Sequence, residues 1–261
     1  MVGIIPLMTN PHLPMESHSV QPIGYIESDF PDKFGVPRQP GLAVAARASL
    51  ILVPPYDDPL AVRGLEAFSH LWLTFVFHHS PARWTPLVRP PRLGGNAKVG
   101  VFASRSTHRP NRLGQSLVKL SRIDIGGVDI GGNDDRARVR LALTGCDLIS
   151  GTPVLDIKPY LPWAEALPDA RAGYAPAPPP QLAVRFSAAA EATLATRADA
   201  ASLRELIRQV LAQDPRPAYR KSAEERLYGV RLRDVDVRFQ VESTALTGRS
   251  GIHVIEIDIG N

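Results

Sequence analysis

The sequence predicts a mainly β protein, a barrel or sandwich followed by a small α+β unit, and three observations carry that reading. Short apolar or alternating runs, punctuated by proline and glycine, fill the first half of the 261 residues. A proline-rich stretch, Ala175-Pro-Ala-Pro-Pro-Pro180, then breaks the pattern. Beyond it lie one amphipathic helix and two further strand-like runs. Many strands with few helices between them argue against a doubly wound sheet.

In chain order, the strands expected in the first unit are Ile23–Ile26, Ser49–Val53, Leu71–Phe77, Val99–Ala103, Leu117–Ile125 and Arg136–Leu143. Leu71–Phe77 is nearly continuous in apolar residues, which predicts a central strand. In the last run, Ala137, Val139, Leu141 and Leu143 alternate with Arg136, Arg138 and Arg140, giving one buried and one basic face. Ile125-Gly-Gly-Val-Asp-Ile-Gly-Gly132 reads as a hairpin turn and fits neither Walker nor Rossmann spacing. Pro168 to Gln181 reads as an extended connector. The helix follows from Leu203, Leu206, Ile207, Val210 and Leu211, spaced for one face. Ser202 with Glu205 predicts a capping box and Pro215 a stop. Val230–Leu232 and Val235–Val241 are the next strands, and a last alternation at Ile255, Ile257 and Ile259 is left without a docking position. The expected division is a flexible tail over 1–19, a β unit over 20–166, an α+β unit over 167–241 and a C-terminal tail over 242–261.

Hydrophobic residues at 44% and charged residues at 21% are ordinary for a globular chain and exclude global disorder. No apolar run is long enough for a membrane helix, and Met1 to Pro14 lacks the basic start of a secretory signal. A single cysteine, Cys146, excludes an intrachain disulfide and points to a reducing, cytoplasmic location. Net charge is only +4, yet Ala67 to Ile123 holds nine Lys or Arg residues and not one Asp or Glu. Cations concentrated in this way attract a polyanion, with nucleic acid the first candidate.

Four segments are dense in polar, proline and glycine residues: Val36–Gly41, Phe68–His70, Arg89–Arg112 and Asp147–Tyr160. Rigid loops of this composition present backbone amides and cations, as binding sites do. Taken singly, each also reads as an ordinary turn. His70, His78 and His79 lack Cys or acidic partners nearby, and adjacent histidines on a strand face opposite ways, so no metal site is expected. No Gly-x-Ser-x-Gly elbow is present.

The runs Lys33-Phe-Gly-Val-Pro-Arg-Gln-Pro-Gly-Leu42, Ala61-Val-Arg-Gly-Leu-Glu-Ala-Phe-Ser-His-Leu-Trp72 and Val88-Arg-Pro-Pro-Arg-Leu-Gly-Gly-Asn96 are long and distinctive. So are Gly100-Val-Phe-Ala-Ser-Arg-Ser106, Gly151-Thr-Pro-Val-Leu-Asp-Ile-Lys-Pro-Tyr-Leu-Pro162 and Ala212-Gln-Asp-Pro-Arg-Pro-Ala-Tyr-Arg-Lys221. In this order they closely resemble the TrmO (TsaA-like, YaeB) family of tRNA N6-methyltransferases, over roughly residues 20 to 240. The resemblance implies a single-sheeted β-barrel that binds S-adenosylmethionine, a small C-terminal domain and a homodimer. It implies N6-methylation of threonylcarbamoyladenosine at position 37 of threonine tRNA. Donor-binding positions carried over are Pro37, Arg38, Gln39, His78, His79, Arg105, Leu113, Ser150, Gly151, Thr152 and Pro153. Two depart from the family's usual pattern: His79 stands where Gln is common, and Ser150 where Asp is common.

On this reading Arg38 or Arg105 pairs with the donor's carboxylate, and His78, Asp156 and Tyr160 are unranked candidates for a general base. Arg89, Arg92, Asn96, Arg109 and Asn111, with Asp214, Arg216, Tyr219 and Arg220, are expected to face the tRNA anticodon stem-loop. Arg216, Tyr219 and Arg220 are the expected contacts to that loop or to the threonylcarbamoyl carboxylate. The prolines of the same motif also read as a plain helix stop. The rival class is a non-catalytic module that binds an adenosyl ligand or RNA.

Overall fold

The computed structural model describes residues 17–94, 96–126, 139–216, 226–243 and 250–259. The first unit contains β1 (Gly24–Ser28), β2 (Arg47–Leu52), β3 (His70–Val76), β4 (Leu87–Val88), β5 (Val99–Gly100), β6 (Leu113–Ile125), β7 (Val139–Thr144) and β8 (Pro153–Pro159). Six of these close a barrel in the order β1-β2-β7-β6-β3-β8. Its seam is short, with Gly24 opposite Val154 and Tyr25 opposite Pro153. Closure leaves the barrel wall without a free edge. Ile26, Leu50, Leu71, Leu73, Phe75, Leu141, Leu143 and Val154 are buried together inside it.

Most of the expected strands are present, with informative differences. Val99–Ala103 is no barrel strand: only Val99 and Gly100 pair, with Leu87 and Val88, and Val101–Ala103 turns as a 3-10 helix. The two-stranded ladder β4-β5 is the base of an arm spanning residues 81–112, outside the barrel sheet. β6 starts four residues before the expected Leu117, because its lead-in, Leu-Gly-Gln-Ser, has weak strand preference and joins only by pairing with β3. β8 had been legible only as a dense polar segment, although Val154 is fully buried. Ile125 to Gly132 falls largely outside the described residues, as do Arg136 and Arg138.

A one-turn helix, α1 (Pro162–Glu165), closes the barrel unit. The second unit contains β9 (Ala183–Phe186), α2 (Ala188–Ala195), α3 (Ala200–Ala212), β10 (Tyr228–Leu232), β11 (Val235–Ser243) and β12 (Ser250–Ile259). Its sheet runs β10-β11-β12-β9, with β12 antiparallel to β11 and parallel to β9. The expectation of a tail over 242–261 is therefore corrected: residues 250–259 form an interior strand whose Ile252, Val254 and Ile257 are buried. Of the expected N-terminal tail, residues 1–16 lie outside the described residues. The capping box is corrected too. The cap of α3 is Asp199, the Ser202 hydroxyl bonds back to the Asp199 carbonyl at 3.1 Å, and Glu205 binds Arg208 and Gln209. The helix ends at Ala212, ahead of Pro215.

The two units share a core. Phe30, Ala43 and Ala46, from the connection between β1 and β2, are buried with Leu206, Ile207, Val210, Val230 and Val237 of the second unit. Around this contact Gln209 Oε1 accepts from the Ala45 N–H at 2.8 Å, and Gln213 Nε2 donates to the Leu42 carbonyl at 3.1 Å. A polar clasp adds to it. The Arg233 guanidinium donates to Asp29 Oδ1 at 2.9 Å, to Asp199 Oδ2 at 2.8 Å and to the Ser202 hydroxyl at 3.0 Å. Among the described residues no helix is long and apolar enough to cross a membrane.

Candidate active site

Three segments far apart in sequence meet at one end of the barrel. The first is the loop after β1. The second follows β3, where His78 and His79 pack edge to face with ring centroids 4.2 Å apart. The third is the turn before β8, Ser150 to Thr152. Backbone bonds lock the third to the first and to β1 itself, from Ser150 N–H to the Phe30 carbonyl at 2.9 Å and from Gly151 N–H to the Ile26 carbonyl of β1 at 2.7 Å. The Lys33 ammonium donates to the His79 carbonyl at 2.5 Å and so joins the first to the second. Gly151 has φ +79, a left-handed conformation that glycine adopts freely. A Cβ there would stand 3.7 Å from His78 Nε2, so the missing side chain keeps the space beside the imidazole open.

Pro37, Arg38 and Gln39 ride on the first segment, which the second unit holds in place. Phe34 and Val36 pack on the shared core, and Gly35, with φ +92, lies so close to β10 that a Cβ would come within 2.3 Å of Val230 Cγ2. Arg38 is exposed, whereas Pro37 is buried. Loop and helix end together enclose a cleft of about 230 Å³, lined by Lys33, Val36, Arg38, Val210, Gln213 and Pro215 among others.

Burial, then the neighbouring His79 and Lys33, push the His78 pKa below its ordinary value, so its imidazole is neutral at neutral pH. Asp156 and Tyr160 stand apart from it. Asp156 is exposed on the outside of β8, opposite Thr74 in the register. Tyr160 bonds through its N–H to the His70 carbonyl at the far end of β3, seven residues or about 23 Å of strand from Pro153. His78 alone of the three base candidates belongs to the convergence.

Ser150 is turned inward. Its Oγ accepts from the Ser28 N–H at 2.9 Å and donates to the Ser28 carbonyl at 3.1 Å, so its proton serves the fold. The Thr152 hydroxyl likewise donates to the Ile149 carbonyl at 2.7 Å. The N–H groups of Ser150, Gly151 and Thr152 are likewise taken, by the Phe30, Ile26 and Ile149 carbonyls, which leaves the Ser150 and Gly151 carbonyls as the turn's polar groups for a ligand. Leu113 and Arg105 are exposed. Arg105 acts electrostatically on Asp147, a carboxyl the sequence reading did not single out. Burial raises the Asp147 pKa to about 6, against the Ser116 hydroxyl that donates to it at 2.5 Å and the Arg105 charge. Only its position at the head of a polar segment hinted at a special environment.

In the arm, Arg89, Asn96 and Asn111 are exposed. Arg92 donates to the Ala177 carbonyl at 2.6 Å, and Arg109 folds back on the Ser104 carbonyl at 2.9 Å with its guanidinium over Phe102. Of the nine cations between residues 67 and 123, only Arg122 makes an ion pair among the described residues, with Asp124. Arg216 departs from the expected substrate contact: it is 4% exposed, and two of its nitrogens donate to Asp214 at 2.8 and 3.1 Å. It also lies against the Tyr228 ring. Tyr219 and Arg220 lie outside the described residues.

Comparison with known proteins decides the lineage. The family described as tRNA-methyltransferase O N-terminal domain matches residues 25–166, and the TrmO C-terminal domain matches residues 179–258. The chain belongs to the TrmO family. It is 52% identical over 231 residues to a tRNA (adenine(37)-N6)-methyltransferase of Escherichia coli, covering 87% of this chain and 94% of that protein. It is 53% identical over 228 residues to a Pseudomonas aeruginosa protein named as a putative S-adenosylmethionine-dependent methyltransferase, covering 85% and 92%. The crystal structure of TrmO from Pseudomonas aeruginosa superposes with a TM-score of 0.72 at 44% identity, covering 93% of this chain and 99% of the other. The TrmO barrel is thus the frame on which the His78–Gly151 convergence is built.

Proposed function

We propose that this chain is an S-adenosylmethionine-dependent tRNA (adenine(37)-N6)-methyltransferase acting on threonylcarbamoyladenosine at position 37 of threonine tRNA. The observation that carries the reading is the meeting of the 33–39 loop, His78 and Gly151 at one barrel end, in a chain whose two parts both match TrmO domains. The open space at Gly151, beside a neutral imidazole, suits a polar adenosyl ligand.

The donor supplies a methyl group already activated by its sulfonium, so the chain's work is alignment and proton removal. Arg38 and Arg105 are the cations for the donor's carboxylate. The Ser150 and Gly151 carbonyls accept from its polar hydrogens, and Pro37, Gln39, Thr152, Leu113 and Pro153 shape the walls. His78 Nε2, neutral at working pH, accepts the N6 proton as the new carbon–nitrogen bond forms. The exposed cations of the arm hold the anticodon stem-loop. A homodimer in the cytoplasm belongs to the same proposal, supported by the family resemblance and by the single, buried thiol of Cys146.

The test is methyl transfer from labelled donor to total tRNA from cells with and without the threonylcarbamoyl modification. Label confined to threonine tRNA of the modified pool is the expected result. Absence of label from both pools, with donor binding intact, would leave the rival adenosyl- or RNA-binding module. No observation favours that module, because Ser150, the departure that suggested it, is occupied with Ser28.

A further inference from the structure

The fork expected to read the acceptor's carboxylate is engaged elsewhere. Arg216 is buried and holds Asp214 through two nitrogens. A carboxylate on the acceptor nucleoside needs another cation, in a space open to the reacting groups. The cleft between the 33–38 loop and the end of α3 supplies a cation, Lys33, whose bond to the His79 carbonyl links it to the segment that carries His78. Its lining mixes the apolar Val36, Val210 and Pro215 with the polar Gln213. Its cation besides Arg38, which is assigned to the donor above, is Lys33, exposed and without an ion pair among the described residues. At about 230 Å³ it holds an amino-acid-sized appendage and is small for a whole nucleoside.

Lys33 is the residue that ties this cleft to the chemistry. Its ammonium donates to the His79 carbonyl, next to His78, whose Nε2 borders the space above Gly151. One of three ammonium donors is used there, which leaves two for a ligand. The cleft also opens where α3 runs into the Asp214-Pro215-Arg216 motif, so a group seated in it touches both units at once.

We propose that this cleft is a carboxylate subsite, with Lys33 as its principal cation, and that it takes the threonyl carboxylate of the modified adenosine. The proposal rests on the reaction assigned above. The donor's methionine part carries the same chemistry, so the experiment must separate the two sources.

The full-length chain is assayed with threonine-tRNA anticodon stem-loops carrying either the native threonylcarbamoyl group or its carboxamide, which has the same shape without the charge. Wild type should prefer the carboxylate by roughly tenfold to hundredfold in RNA binding and in KM, as one charge-assisted bond allows. Lys33→Met should remove most of that preference and Lys33→Arg should restore it. Because Lys33→Met also removes the bond to the His79 carbonyl, it should change affinity for S-adenosylmethionine and for its decarboxylated analogue by the same factor. Equal handling of both RNAs by wild type, a comparison that needs no variant, would overturn the proposal. So would a Lys33→Met variant that weakens S-adenosylmethionine but not the decarboxylated analogue, which would assign the subsite to the donor. If wild type methylates neither RNA, the reaction assignment fails, and the binding arm still decides whether the cleft reads a carboxylate.

Discussion

Replacing Arg233 by Met tests how firmly the second unit holds the donor loop. Arg233 is 14% exposed at its side chain and Asp29 10%. The guanidinium gives Asp29 two bonds, at 2.9 and 3.3 Å, and gives Asp199 and Ser202 one each. Its removal strands the Asp29 carboxylate in a buried position, a loss that costs about 3–5 kcal/mol in comparable pairs. Two features place this case at the lower end. Asp29 keeps the Arg47 N–H at 2.8 Å, and Asp199 is 34% exposed and keeps Arg197 at 2.7 Å. A loss of about 3 kcal/mol follows, which lowers a urea midpoint by about 1 M at a slope near 3 kcal/mol per M. The assay is equilibrium urea unfolding by tryptophan fluorescence, with Asp29→Asn/Arg233→Met as the companion. The double variant should recover part of the loss, because it no longer buries an unpaired charge. Asp29 precedes Phe30, whose carbonyl receives the Ser150 N–H, so donor affinity should fall along with stability. A midpoint within about 0.3 M of wild type, or a double variant less stable than the single one, would refute the reasoning.

Two further outcomes follow from the site. His78→Ala should lower kcat by about a hundredfold or more at saturating donor, beyond any weakening of donor binding, whereas Asp156→Asn and Tyr160→Phe stay near wild type. Because burial and the neighbouring charges hold the His78 pKa below its ordinary value, the acid limb of a pH–rate profile for kcat should lie below that of an ordinary imidazole. Asp147 works in the opposite sense. Its folded pKa of about 6 exceeds that of an unfolded Asp, so the folded state binds the extra proton between roughly pH 4 and 6. Stability therefore rises as pH falls through that window, by at most about 3 kcal/mol from this group. Asp147→Asn should flatten that slope in thermal melts recorded across the window.

How much of this was legible depends on whether a residue's role is local. β3 was readable because Leu71, Leu73 and Phe75 are buried inside the barrel and the strand pairs on both sides. α3 was readable from its apolar face. Its start was not, since Ala200 and Ala201 carry no polar signal and Ser202 mimics a cap from inside the first turn. β12 looked like a tail because only its partners, β11 and β9, show that its alternation has a core to face. Family motifs supplied the Pro37–Gln39 loop and Gly151, but not the distance that separates Tyr160 from His78. Lys33 sat inside a quoted motif without any mark of its own, since neither its type nor its spacing says that its ammonium reaches His79. Arg216 failed in the reverse direction: an arginine between prolines looks like a presented cation until its carboxylate partner, two residues away, is found to hold it.

The architecture also bears on why a barrel of this kind carries a second unit. The barrel alone fixes β3 and β8, and with them His78 and Gly151 just past their ends, through backbone pairing with one register shift at Thr74/Phe75. The loop after β1 has no such ladder. Residues 30–46 hold their shape through Phe30, Ala43 and Ala46 buried in the second unit's core, through Gln209 and Gln213 on α3, and through Arg233 on Asp29. A loop with few contacts of its own opens at low free-energy cost, and a site that must align donor and acceptor loses rate when a wall moves by an ångström. The second unit therefore stabilises the loop that walls the proposed donor site. If the Lys33 cleft takes the acceptor's carboxylate as proposed, the helix end that closes it puts acceptor recognition on the same element that orders this loop.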